Sequence, residues 1–131
     1  MKIKQIKWSI ASIIVSQRNM MLLFQVELCL VHVPLRMIIR NTEKLTAEER
    51  KFVLNPWTHT DFLIYSKLDK KPVLVVEVDG YKYHVQNPKQ LERDKRKDKI
   101  LEKYNVPIIR FSTTGSGEKK KLEGKLSIIS R

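Results

Sequence analysis

The side chains best placed to do chemistry in this chain are three carboxylates at the ends of two apolar runs. Asp61 precedes Phe62, Leu63, Ile64 and Tyr65, while Glu77 and Asp79 close the run that begins at Val73. A strand apolar on both faces belongs in the middle of a covered sheet, so acids at its end need a reason. Alternate strand side chains share a face, which sets Glu77 and Asp79 on the same side. Turn-forming residues at 68–72 join the two runs and predict a hairpin. In the register that places Asp61 opposite Glu77, their carboxylates lie close together. A slip of one residue sends them to opposite faces. Gathered carboxylates repel unless a cation neutralises them, and an oxygen-only donor set suits Mg2+ or Mn2+. Such an ion acidifies water and stabilises charge on a phosphate. Either acid alone is more simply a strand cap or a surface ion pair. The two together, ending an apolar strand, favour the metal.

Histidines near these acids are the next candidates. His84 lies just beyond the turn at Gly80 and could act as ligand, general base or phosphate contact. His59 shares the face of Asp61 if the strand extends back to it, and ranks below His84. His32, between Val31 and Val33, is expected to be structural.

Asn87 is a good N-cap and Pro88 a good first helical residue, predicting a helix from Pro88 to Tyr104 that Asn105 ends. On it Gln90, Asp94, Lys97, Leu101 and Tyr104 recur at spacings of four and three and form one stripe. The apolar end of the stripe must face the sheet, so its polar end should meet something charged. Lys97 is therefore expected to carry its ammonium to the carboxylate cluster, its simpler role being an ion pair with Asp94 or Glu77. Lys82, Gln90, Arg93 and Arg96 are the candidate nucleic-acid contacts. A solvated face laced with i to i+4 pairs accounts for most of the other helix charges. The segment 113–118 lacks the spacing and the lysine–hydroxyl pair of a phosphate-binding loop.

The rest of the chain must position these groups. Its 131 residues suit one core, and a net charge of +12 points to a polyanion, with nucleic acid favoured over an anionic membrane. A single cysteine, Cys29, excludes an intramolecular disulfide and a multi-thiolate zinc site, which fits a reducing cytoplasm. Lys2, Lys4 and Lys7 ahead of an apolar patch mimic a secretory leader, but Ser9 and Ser12 break the patch. The apolar stretch 20–33 contains Gln25, Glu27 and His32 and falls short of the ~20 residues of a membrane span. Residues 1–30 are set apart from a domain over 31–131, with a helix expected at 20–28. A strand is expected at 31–39, with Pro34 marking an edge or bulge. Thr46 to Glu49 reads as a capping box. A strand at 106–111 and a terminal helix at 118–129 complete an α/β domain.

Taken together, Asp61, the run Glu77, Val78, Asp79, Gly80, Tyr81, then His84, Gln90, Asp94, Lys97 and Ile108 to Phe111 resemble the PD-(D/E)XK nuclease superfamily. Within it the chain is similar to the branch of very short patch repair endonucleases and to the domain found at the C-terminal end of superfamily 1 DNA helicases. The resemblance spans residues 31–126. It implies a restriction-endonuclease-like, three-layer α/β core whose central mixed sheet is built from the hairpin, a crossover helix and a strand. It also implies a Mg2+-dependent endonuclease that cuts DNA, with Asp61 and Glu77 on the metal and a helicase as a possible partner. Three positions depart from the pattern. Asp79 stands where the family's lysine usually does, Thr60 replaces the proline before Asp61, and Glu27 is the one acid available for the first-helix glutamate. The alternative is a catalytically inactive nucleic-acid-binding module of the same fold.

Overall fold

The computed structural model describes residues 12, 18–29, 32–79, 88–112 and 118–129. Its centre is the hairpin anticipated from the apolar runs, β4 (Phe62–Ser66) and β5 (Pro72–Asp79), paired antiparallel. The helix α4 (Pro88–Lys103) comes next, and the chain returns as β6 (Ile108–Ser112), parallel to β5. Asn105 lies between them at φ 57°, a left-handed residue that stops the helix where the sequence indicated. A fourth strand, β1 (Val26–Cys29), pairs antiparallel with β4, giving the sheet order β1-β4-β5-β6.

Both faces of this sheet are covered, because alternate residues of β4, β5 and β6 feed two separate cores. Phe62, Ile64, Leu74, Val76, Val78, Ile109 and Phe111 pack on one side with Leu122 of α5 (Glu118–Ile129) and Met21 of α1 (Arg18–Leu23). Leu63, Val75 and Ile108 pack on the other with Ile100 and Leu101 of α4. This second core also holds Leu35 and Ile38 of α2 (Leu35–Ile38) and Val53 of α3 (Ala47–Leu54). The architecture is the three-layer α/β sandwich expected from the sequence.

The capping box is present: the Thr46 hydroxyl accepts from the Glu49 N–H and the Glu49 carboxylate accepts from the Thr46 N–H. Glu49 also receives the ammonium of Lys103, tying α3 to the end of α4.

Two sequence expectations are corrected. The helix expected over 20–28 ends at Leu23; Gln25 turns the chain at φ 53°, and strand β1 begins at Val26. Among the described residues, the strand expected over 31–39 is confined to β2 (Val33–Pro34), which pairs with β3 (His59–Thr60), after which α2 begins. Pro34 has extended geometry, and the Leu35 N–H bonds the Thr58 carbonyl at 2.9 Å, so the chain leaves the ribbon and buries Leu35 and Ile38 one helical turn apart.

Candidate metal centre

Strand parity decides where the acids go. Asp61 has the parity of Leu63 and Glu77 that of Val75, so both carboxylates project to the face covered by α4. The pairing Phe62↔Val76 continues outward to set Asp61 opposite Glu77. Both are buried, at 7% and 6% exposure. Asp61 Oδ2 accepts the Val78 N–H at 2.8 Å, which fixes that carboxylate against the end of β5.

From the facing layer, α4 delivers the polar end of its stripe to the same place. The Lys97 ammonium donates to Glu77 Oε1 at 2.9 Å and to the His59 carbonyl at 2.8 Å. One turn nearer the helix start, Gln90 donates to Asp94 Oδ1 at 3.0 Å. Asp94 and Asp98 share the guanidinium of Arg110, which has the parity of Ile108 and so also faces α4. The stripe thus meets charge along its whole polar half, as its sequence required.

Burial pushes the Glu77 carboxyl up to about 8; the Lys97 ammonium opposes this and the neighbouring Asp61 reinforces it. Two buried carboxylates against one ammonium leave an excess of negative charge that a divalent cation could neutralise. The donor set therefore fits a cation.

Two imidazoles complete the surroundings of Asp61. One ligand atom each of His32, His59 and Asp61 lies within 4.8 Å of the others. The two rings meet edge to face with centroids 4.6 Å apart. His32, expected to be a structural residue inside a strand, is instead exposed and stands just before β2. The oxygen-only donor set read from the sequence had no place for His32 and ranked His59 below His84. The signal that could have found them is the register of β2 against β3, which a two-residue ribbon does not advertise.

The other candidates fall variously. Asp79 ends β5 two residues beyond Glu77; its side chain, and all of Lys82 and His84, lie outside the described residues. Arg93 and Arg96 are exposed on α4, and Arg96 lies over the Phe52 ring with its guanidinium carbon 5.7 Å from the centroid. Glu27 sits in strand β1 opposite Tyr65, so no helix supplies it as an acid to the cluster.

A three-layer α/β domain with a buried acid pair and a lysine at the end of its central hairpin is the class that fold and site define. The family model described as Protein of unknown function (DUF2726) matches residues 17–128, and the chain belongs to that family. No curated protein and no solved structure matches it. Among the described residues no helix is long and apolar enough to cross a membrane.

Proposed function

We propose that this chain is a metal-dependent nuclease domain of the PD-(D/E)XK type that hydrolyses phosphodiester bonds in DNA. The observation that carries the reading is the convergence of buried Asp61 and Glu77 with the Lys97 ammonium, 2.9 Å from Glu77, at the end of the central hairpin. In the superfamily pattern a lysine follows the second acid on the same strand. Here Asp79 holds that position, and Lys97 brings a positive charge to the acids from the helix instead.

Asp61 and Glu77 would hold Mg2+ or Mn2+, which supplies Lewis-acid stabilisation of charge on the phosphate and lowers the pKa of water. The chain's own groups prepare this. The Val78 N–H orients Asp61, and Lys97 orients Glu77 while offering positive charge to a phosphate brought to the site. Arg93, Arg96 and Lys82 are the proposed contacts to the nucleic-acid backbone, in keeping with a net charge of +12. The resemblance to a domain carried by superfamily 1 helicases extends the proposal to work beside such a motor.

A second reading, a binding module of the same fold without catalysis, draws on Asp79 at the lysine position. One experiment separates the two: plasmid and single-stranded DNA are incubated with the protein in Mg2+, Mn2+ or chelator, alongside Asp61→Asn and Glu77→Gln. The nuclease reading expects cleavage that needs the ion and is abolished by either substitution, with DNA affinity changed by no more than about threefold. Binding without cleavage in every condition selects the module. Cleavage that persists in chelator or survives both substitutions would place the chemistry elsewhere.

A further inference from the structure

We propose that His32, His59 and Asp61 form a transition-metal site that takes Zn2+ or Co2+ in preference to Mg2+. This goes beyond the nuclease reading and stands whether or not the chain cuts DNA.

Backbone register assembles the three groups. The ribbon pairs Val33 with Thr60 and Pro34 with His59, so one step outward sets His32 opposite Asp61. His59 and Asp61 are two residues apart and share its face, while Val33 and Thr60 turn inward and are buried. Three potential ligand atoms on one face within 4.8 Å of one another result from that arrangement.

The donors are prepared as ligands. His59 Nδ1 lies 2.9 Å from the Trp57 carbonyl, which can only accept, so Nδ1 carries the hydrogen and Nε2 is the ligand atom. A hydrogen bond from the non-ligating ring nitrogen to a carbonyl is the arrangement that orients metal-binding histidines and sets their tautomer. The backbone of His59 is itself held by Lys97, and Asp61 by the Val78 N–H. His32 is exposed, so an ion can reach the ring from solvent. An ordinary edge-to-face contact explains the proximity of the rings but not the third group, a buried carboxylate on the same face.

Donor type then selects the ion. Mg2+ prefers oxygen and keeps its water, whereas imidazole suits later transition metals such as Zn2+ and Co2+. Three protein ligands leave a position open, the arrangement of a reactive rather than a purely structural ion.

The test uses the full, tag-free chain stripped with chelator and held at about pH 7.5. Zn2+, Co2+ and Mg2+ are titrated separately by calorimetry, with Co2+ also followed by its visible ligand-field absorption. The expected result is one Zn2+ or Co2+ bound more tightly than Mg2+, with His32→Ala and His59→Ala each weakening it by at least about tenfold. The Co2+ spectrum should change in both variants, while Mg2+ affinity stays within about twofold of the parent chain's, because imidazole adds little to Mg2+. His32→Ala decides the matter if His59→Ala fails to fold, since an exposed ring contributes little to the core. Absence of Zn2+ and Co2+ binding, tighter binding of Mg2+, or unchanged Co2+ affinity in His32→Ala would overturn the proposal. DNA cleavage is no part of this readout. A chain that binds Zn2+ through His32 and never cuts DNA refutes only the nuclease reading, and one that cuts in Mg2+ without His32-dependent Zn2+ binding refutes only this site.

Discussion

Replacing Lys97 with methionine keeps the apolar stem of the side chain and removes one ammonium. That ammonium makes two charge-assisted hydrogen bonds, to Glu77 Oε1 at 2.9 Å and to the His59 carbonyl at 2.8 Å. Taking one partner from a buried ion pair costs about 3–5 kcal/mol when the remaining charge has no relief. Relief exists here, because burial already pushes the Glu77 carboxyl up to about 8, so it can take a proton near neutrality. The desolvation of the ammonium is also avoided. The net loss should be about 2–3 kcal/mol at neutral pH, roughly the value of the hydrogen bonds themselves. For a domain of this size that lowers Tm by about 6–15 °C. Urea and thermal unfolding followed by circular dichroism in chelator measure it. The double variant with Glu77→Gln removes the stranded carboxylate, so its loss should fall short of the sum of the single losses by at least about 1 kcal/mol. A Lys97→Met chain within about 0.5 kcal/mol of the parent, or additivity to that margin, would refute the pairing.

Lys103, followed by the backbone of Thr46, holds the Glu49 carboxyl at about 2, below its ordinary range. A lowered folded-state value contributes stability that is complete above the unfolded pKa of ~4.3 and is lost as pH falls through about 2. Glu49→Gln should therefore destabilise near neutrality and flatten the acid limb of Tm against pH. Glu77 has the opposite sign. Its raised value favours the folded free protein below an unfolded pKa of ~4.3, and that contribution is lost as pH rises through about 8. Thermal melts of Glu77→Gln in chelator should show a shallower decline between pH ~4.3 and about 8, and a decline as steep as the parent's would contradict the burial argument. Binding to duplex DNA should weaken steeply with salt, and a fluorescence titration giving equal affinity at about 50 and 200 mM would exclude phosphate contacts as its source.

How much of this was legible in the sequence depended on whether a local pattern had one reading. Asn87 and Pro88 before a stripe at spacings of four and three can start only a helix, and α4 begins at Pro88. Thr46 and Glu49 make the cap they spell. The stretch 20–33 is apolar whether helix or strand, so its composition could not show that Gln25 turns the chain and that Val26 begins an edge strand. Residues 31–39 carry β-branched side chains, yet the need to bury both Leu35 and Ile38 behind Pro34 makes a helical turn the better solution. His32 was illegible for the same reason: its partner across the ribbon depends on where that turn begins.

The register of the central hairpin was also beyond local pattern, and the site depends on it. Beside the turn, Tyr65 pairs with Pro72, a register that carried along the strands would set Asp61 opposite Val76. The two acids would then fall on opposite faces of the sheet. Beyond an irregularity between Ile64 and Tyr65, Ile64 pairs with Leu74, which leaves Val73 as an extra residue in β5. Val73 accordingly joins the same core as its neighbour Leu74, where strict alternation would have separated them. This one-residue bulge shifts the pairing so that Asp61 meets Glu77 and both face Lys97. Turn chemistry at 68–72 predicts that a hairpin forms, but the extra residue in the strand decides which side chains share its face. The acids, the lysine and the neighbouring imidazoles are thus one assembly, brought together by a bulge at Val73 and a short ribbon at His59 rather than by any contiguous motif.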